Sequence, residues 1–150
     1  MGESGRKSMF LGTFEHNMDD KMRLTIPSKF RNKVGQTIYV SKGFDGCLEV
    51  RTQEDFDKWS AEISNYSTTN ANARLISREV FANTSDVDVD NSGRIKLPAN
   101  LLALAGITKA VLILGLGDRM ELWDPNKYSE YHSNNGSHFE EVAENLGGNK

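Results

Sequence analysis

The sequence predicts an α+β fold of two similar β-rich half-domains packed about a pseudo-twofold axis, each half carrying helices. Three observations carry that expectation. The stretch DDKMRLTIP at residues 19–27 returns as DNSGRIKLP at residues 90–98, and at a constant offset of 71 residues Asp19, Arg23, Pro27, Gly35 and Thr37 fall on Asp90, Arg94, Pro98, Gly106 and Thr108. Period-two alternation and paired apolar runs recur in both copies, and helical periodicity follows each of them. Two copies of so long a period are too few for a solenoid and are read as one symmetric pair.

The elements follow in order. An upstream alternation of Phe10, Gly12, Phe14, His16 and Met18 makes a first strand, with Val87 and Val89 marking its counterpart. Asp19 with Asp20, and Asp90 with Asn91, then favour turns, and Gly93 tolerates the left-handed conformation such turns use. In the strands Arg23-Leu24-Thr25-Ile26 and Arg94-Ile95-Lys96-Leu97, the apolar residues point inward. Arg23, Thr25, Arg94 and Lys96 therefore share cationic outer rows. Pro27 and Pro98 close the strands and open short helices at their first positions, SKFRNKV and ANLLALA, stopped by Gly35 and Gly106. Hairpins follow around KGFDG (Ile38 to Ser41, Cys47 to Arg51) and around GLGD at 115–118 (Ala110 to Leu114, Arg119 to Trp123). Thr52 with Asp55 reads as a capping box for a helix bearing Phe56, Trp59 and Ile63. NARLISREVFAN fits a second helix, and Asn126 to about His132 a third, where Tyr128 and Tyr131 match Phe56 and Trp59.

At 150 residues and 37% hydrophobic content the chain can bury one substantial core. The expected organisation is a polar leader or tag at 1–8 without a fold, a first repeat with a helical extension at 9–80, and a second repeat with a helical acidic tail at 81–150. The tail is expected to be mobile at its end. No apolar run is long enough to span a membrane, and no secretory leader is readable. The single cysteine, Cys47, excludes an intramolecular disulfide and favours a reducing cytoplasm. A net charge of −3 argues against a generic nucleic-acid binder, but the charge is segregated. Lys21, Arg23, Lys29, Arg31 and Lys33 follow one another without an acid between them, whereas residues 121–150 hold six acids and two lysines. A local positive surface steers phosphate within a Debye length of roughly 8 Å whatever the total charge.

The opening FLGTFEHNMDDKMRLTIPSKFR, the repeated Asp-x-x-x-Arg motif, the later ELW and the duplicated hairpins resemble the MraZ family of bacterial transcriptional regulators. That resemblance covers Met9 to about Leu146. It implies a tandem AbrB-like, swapped-hairpin fold and a regulator that binds double-stranded DNA at short tandem repeats in the promoter of the division and cell-wall gene cluster. It also implies homo-oligomeric rings acting in the cytoplasm at the nucleoid. The family motif is commonly Asp-x-Lys-Gly-Arg. Here Met22 replaces the glycine of the first copy, which argues against a left-handed turn there, and Ser92 replaces the lysine of the second, which assigns more phosphate binding to the first half. The residues expected to contact DNA are Lys21, Arg23, Thr25, Lys29, Arg31, Arg94 and Lys96, with Asp19 and Asp90 orienting the loops. Arginine suits both phosphate and the guanine edge.

Other readings of the same residues stay open. The Asp19/Arg23 and Asp90/Arg94 pairs fit turn-closing ion pairs, and Lys29 with Arg31 fits a solvated helix face. Phe56, Trp59, Tyr128 and Tyr131 suit core or subunit contacts, and Met9, Met18, Met22 and Met120 ordinary packing. An enzyme is not expected: His16, His132 and His138 lack partners at metal-ligand spacing, and no Walker, GxSxG or GxGxxG signature is present. No cofactor, metal, membrane or small-molecule substrate is implied. The alternative function is a ring-forming assembly or scaffold protein without direct DNA contact.

Overall fold

Strand pairing crosses between the two copies of the repeat. The computed structural model describes residues 9–148; the expectations for residues 1–8 and for the final residues 149 and 150 lie outside them. Eight strands form, β1 (Phe10–Asn17), β2 (Arg23–Thr25), β3 (Thr37–Lys42), β4 (Leu48–Thr52), β5 (Thr84–Asp88), β6 (Arg94–Lys96), β7 (Ala110–Gly117) and β8 (Met120–Trp123). The large sheet runs β1-β7-β8-β4-β3-β5, every neighbour antiparallel, and β2 pairs with β6 in a separate ribbon. The first strand of each half is thus hydrogen-bonded to the hairpin of the other. This is the swapped-hairpin arrangement, with the pseudo-twofold axis between β4 and β8.

Alternation places the core. Leu24, Ile26, Ile95 and Leu97 of the ribbon segments are each 1% exposed and pack toward Ile38, Val40, Leu48, Val50, Val111, Ile113 and Leu122 of the large sheet. Phe30, between the rings of Phe10 and Phe14 at 5.1 Å from each, and Leu101 complete this layer. The opposite face of the sheet carries the helices α1 (Gln53–Ser64), α2 (Ala71–Phe81) and α4 (Pro125–Asn135), while α3 (Ala99–Ala105) lies on the ribbon side. Thr52 caps α1 by accepting from the Asp55 amide, and Phe56 stacks on Tyr39 at 4.5 Å. Tyr128 and Tyr131 gather around Trp123 at 5.0 and 5.4 Å.

Glu49 and Glu121, one from each half, lie directly opposite across the axis on the helix-covered face. Like charges so placed repel. Arg51 offsets them, donating to Glu49 at 2.6 Å while lying over the Trp59 ring, and Arg119 approaches both carboxylates at 4.0 Å. Burial raises the pKa of Glu121 above its ordinary value against the opposing hydrogen bond from Trp123, with Glu49 adding to the rise. The Cys47 thiol is raised further, first by burial and then by Glu121 and Glu49.

Several local expectations are corrected. Residues Ser28–Lys33 form a 3-10 helix, because SKFRNK lacks the Ala and Leu content that makes ANLLALA a true α-helix. Both prolines are N-caps with extended ψ rather than first helical residues. Gly106 ends α3 in the left-handed region at φ 67°, whereas Gly35 stops nothing: the 3-10 helix is closed by extended Val34. Gly115, Leu116 and Gly117 belong to β7 rather than to a turn, since they pair with Gly12, Leu11 and Phe10 of the swapped β1. A Cβ at Gly115 would stand 2.6 Å from the backbone of Leu11 and Phe10, so glycine serves a close strand approach there. Met18 and Met120 are core residues, but Met9 and Met22 are 49% and 43% exposed, as neither faces a packed layer. Residues Phe139–Gly148 form α5, a helix carrying Glu140, Glu141 and Glu144.

Candidate nucleic-acid interface

Each Asp-x-x-x-Arg motif folds into the same turn. In the first, the Met22 amide donates to the Asp19 carbonyl at 3.1 Å and the Asp19 amide to the Arg23 carbonyl at 3.0 Å. The Asp19 carboxylate fills the turn: Oδ1 accepts from the amides of Lys21 and Arg23, both at 2.9 Å, and Oδ2 from Arg23 Nε at 2.7 Å. The second turn repeats this atom for atom. Asp90 Oδ1 accepts from Ser92 at 2.9 Å and Arg94 at 2.8 Å, and Oδ2 from Arg94 Nε at 2.9 Å. Both carboxyls are held below their ordinary pKa, chiefly by the backbone amide of the following arginine. Each arginine spends only Nε in its turn, leaving the two-nitrogen edge of the guanidinium without a hydrogen bond among the described residues.

The turns need a left-handed residue at their fourth position, and both have one. Gly93 sits at φ 77° and Met22 at φ 61°, so methionine takes the left-handed conformation that its residue type argues against. The surrounding hydrogen bonds impose it. The Met22 carbonyl accepts from Leu97 at 3.0 Å, just as the Gly93 carbonyl accepts from Ile26 at 2.8 Å. The difference between the copies lies in what covers the Cα. A Cβ on Gly93 would meet Arg31 Nε at 2.5 Å and Cζ at 2.8 Å, because the Arg31 side chain crosses it on its way to the Ile26 carbonyl at 3.3 Å. At the offset of 71 the position matching Arg31 is Leu102, which is buried in the core and leaves Met22 uncovered.

Ribbon register then redistributes the cations. Arg23 is opposite Lys96 and Thr25 opposite Arg94, so these four residues share the ribbon's outer face. The end bearing the first turn collects Lys21, Arg23 and the Lys96 of the other half. The end bearing the second collects Arg94, Thr25 and the Arg31 of the first half. Lys29 is exposed on the 3-10 helix and makes no hydrogen bond or ion pair among the described residues. Lys33 turns away to the Met9 carbonyl and the Phe30 ring. Sequence reasoning missed that Arg31 and Lys96 change sides; the expectation that β2 and β6 pair would have found it. His16 is committed to the Thr25 carbonyl at 2.8 Å, and among the described residues no cluster of three His, Cys, Asp or Glu is placed to hold a metal.

The sequence profile of a family described as "MraZ protein, putative antitoxin-like" matches residues 9–79 and again 80–149. The chain belongs to the MraZ family. Among MraZ relatives, it is 55% identical over 139 residues to the transcriptional regulator MraZ of Mesoplasma florum, covering 92% of this chain and 95% of that one. It is 40% identical to the MraZ regulator of Mycoplasmoides gallisepticum, over 92% and 97% of the two chains. With that of Syntrophomonas wolfei the identity is 38%, over 92% and 96%. All three MraZ relatives are named for the regulation of transcription and none for catalysis. The two MraZ matches meet at residues 79 and 80, in the last turn of α2 and just ahead of β5.

Proposed function

We propose that the chain is a sequence-specific DNA-binding transcriptional regulator, acting on short tandem repeats in the promoter of the division and cell-wall gene cluster and assembling into a homo-oligomeric ring. The observation that carries this reading is the β2–β6 ribbon, which sets one arginine-bearing turn at each end of a cationic face. A two-stranded ribbon fits the major groove, where the free edge of arginine can bond guanine O6 and N7 in a bidentate manner. Strands of three residues set the turns on the order of 10 Å apart, about three base-pair steps, so both turns of one chain reach the same stretch of groove. Lys21, Arg23, Lys96, Arg94, Arg31, Thr25 and Lys29 supply the contacts, and Asp19 and Asp90 hold the turns.

One ribbon offers a small contact area, and repetition of ribbons against repeated sites supplies the missing affinity through effective concentration. The exposed stripe Phe139, Val142 and Leu146 on α5, at 75%, 52% and 72% exposure, supports contact between copies. On this reading the protein acts in the cytoplasm, on the nucleoid; among the described residues no helix is long and apolar enough to cross a membrane. The test is a gel shift with DNA from upstream of the chain's own gene, carrying intact or scrambled repeats, alongside light scattering. Preferential shifting of the intact repeats by a species well above 16.8 kDa is expected. An assembled species that shifts neither DNA favours the scaffold alternative.

A further inference from the structure

The first turn holds a residue that neither its own stability nor the core explains. Met22 occupies the left-handed region at φ 61°, a conformation that side chains avoid and that glycine takes freely in the matching turn. Its amide and carbonyl are pinned by Asp19 and Leu97, so the backbone cannot relax. Met22 is 43% exposed, between exposed Lys21 and the outward-facing Arg23, and it borders a surface cleft lined by Lys21 and Lys96 as well as Asp20, Asp86 and Asp88. Strain held by its surroundings, in an exposed apolar side chain next to the base-reading Arg23, points to a binding role. The major-groove edge of DNA displays one apolar group, the 5-methyl of thymine, and methionine's unbranched, polarizable chain adapts to such a shape.

We propose that Met22 reads thymine: its side chain packs on the 5-methyl group of a thymine neighbouring the base contacted by Arg23. This rests on the DNA-binding reading above and adds a preference to the first turn alone. In the second turn, Arg31 fills the space that a side chain at position 93 would need. The two turns of one chain therefore present different surfaces, one apolar and cationic, the other cationic only.

The experiment uses the full chain and duplexes of the upstream repeats in which the thymines are replaced one at a time by deoxyuridine, which pairs identically but lacks the methyl. Binding is read by fluorescence anisotropy for the parent, Met22→Gly and Arg23→Ala. The parent is expected to lose about fourfold in affinity at one thymine per repeat, the worth of one buried methyl group. Met22→Gly should bind thymine and uracil duplexes alike while melting no lower than the parent, since glycine relieves the turn; loss of discrimination then cannot be ascribed to unfolding. Equal binding of every duplex by the parent, or discrimination that survives in Met22→Gly, overturns the proposal. If Arg23→Ala binds intact repeats as tightly as the parent, the DNA reading itself fails, a result distinct from either.

Discussion

Replacing Gly93 with alanine tests whether the second turn borrows its covering cation from the first half. Two costs arise. Holding alanine at φ 77° costs about 1–2 kcal/mol. The new Cβ, 2.5 Å from Arg31 Nε, also forces that side chain off the Ile26 carbonyl. The guanidinium end is flexible and its bond is long, so the second cost sits near the low end of a hydrogen bond's worth, about 0.5–1 kcal/mol. Alanine restricts the unfolded chain and returns about 0.4–1 kcal/mol. The expected net loss is about 1–2 kcal/mol. Urea unfolding followed by circular dichroism measures it, at fixed protein concentration because the proposed assembly would couple to stability. In an Arg31→Ala background the loss should shrink by about 0.5–1 kcal/mol, a coupling that a double-mutant cycle resolves. Both single variants should lower the salt slope of DNA binding by about one. Strict additivity in the cycle would refute the contact, and an unchanged slope would remove Arg31 from the interface.

Other outcomes follow from the same geometry. Arg23→Ala should weaken specific binding by about 1–3 kcal/mol per site with fold and assembly intact, and Arg94→Ala should weaken it less, because the first end gathers three cations and the second two; equal losses in anisotropy titrations would sink that ranking. Gly115→Ala drives a Cβ into the β1 backbone, which cannot swing aside as a side chain can, and should cost about 3 kcal/mol in urea unfolding; parental stability would mean that β1 stands farther off. For Glu121→Gln the sign comes from the raised pKa of the native carboxyl: its stabilising protonated form prevails below the ordinary value and is lost as pH rises through the native value. Parent and variant should therefore unfold alike in acid, with the variant the more stable at neutral pH; a gap that widens toward acid would contradict the burial of Glu121.

Much of this was legible from local pattern. The turns, the inward set Leu24, Ile26, Ile95 and Leu97, both hairpins and the cap at Thr52 are short-range consequences of residue type, and they stand where alternation and capping put them. What was not legible depends on partners far along the chain. That β7 continues through Gly115 to Gly117 is decided by β1, about a hundred residues away, offering its ladder. The left-handed Met22 is decided by Leu97, and the need for Gly93 by Arg31. The opposed Glu49 and Glu121 became a site only when β4 met β8 at the axis.

The exchange of first strands has a consequence for how such a chain can diversify. Two identical repeats meeting as separate molecules would carry every substitution on both sides of their axis, so a side chain tolerated at one turn would have to be tolerated at the other. Joined end to end in the last turn of α2, the repeats are inherited as one unit yet mutate singly. Methionine can settle at position 22 while glycine is kept at 93, and a lysine can be surrendered at 92 while its counterpart stays at 21. Neither repeat can leave, since each completes the other's sheet. Fusion here separates two freedoms that a symmetric dimer binds together: the halves are inseparable in structure and independent in sequence.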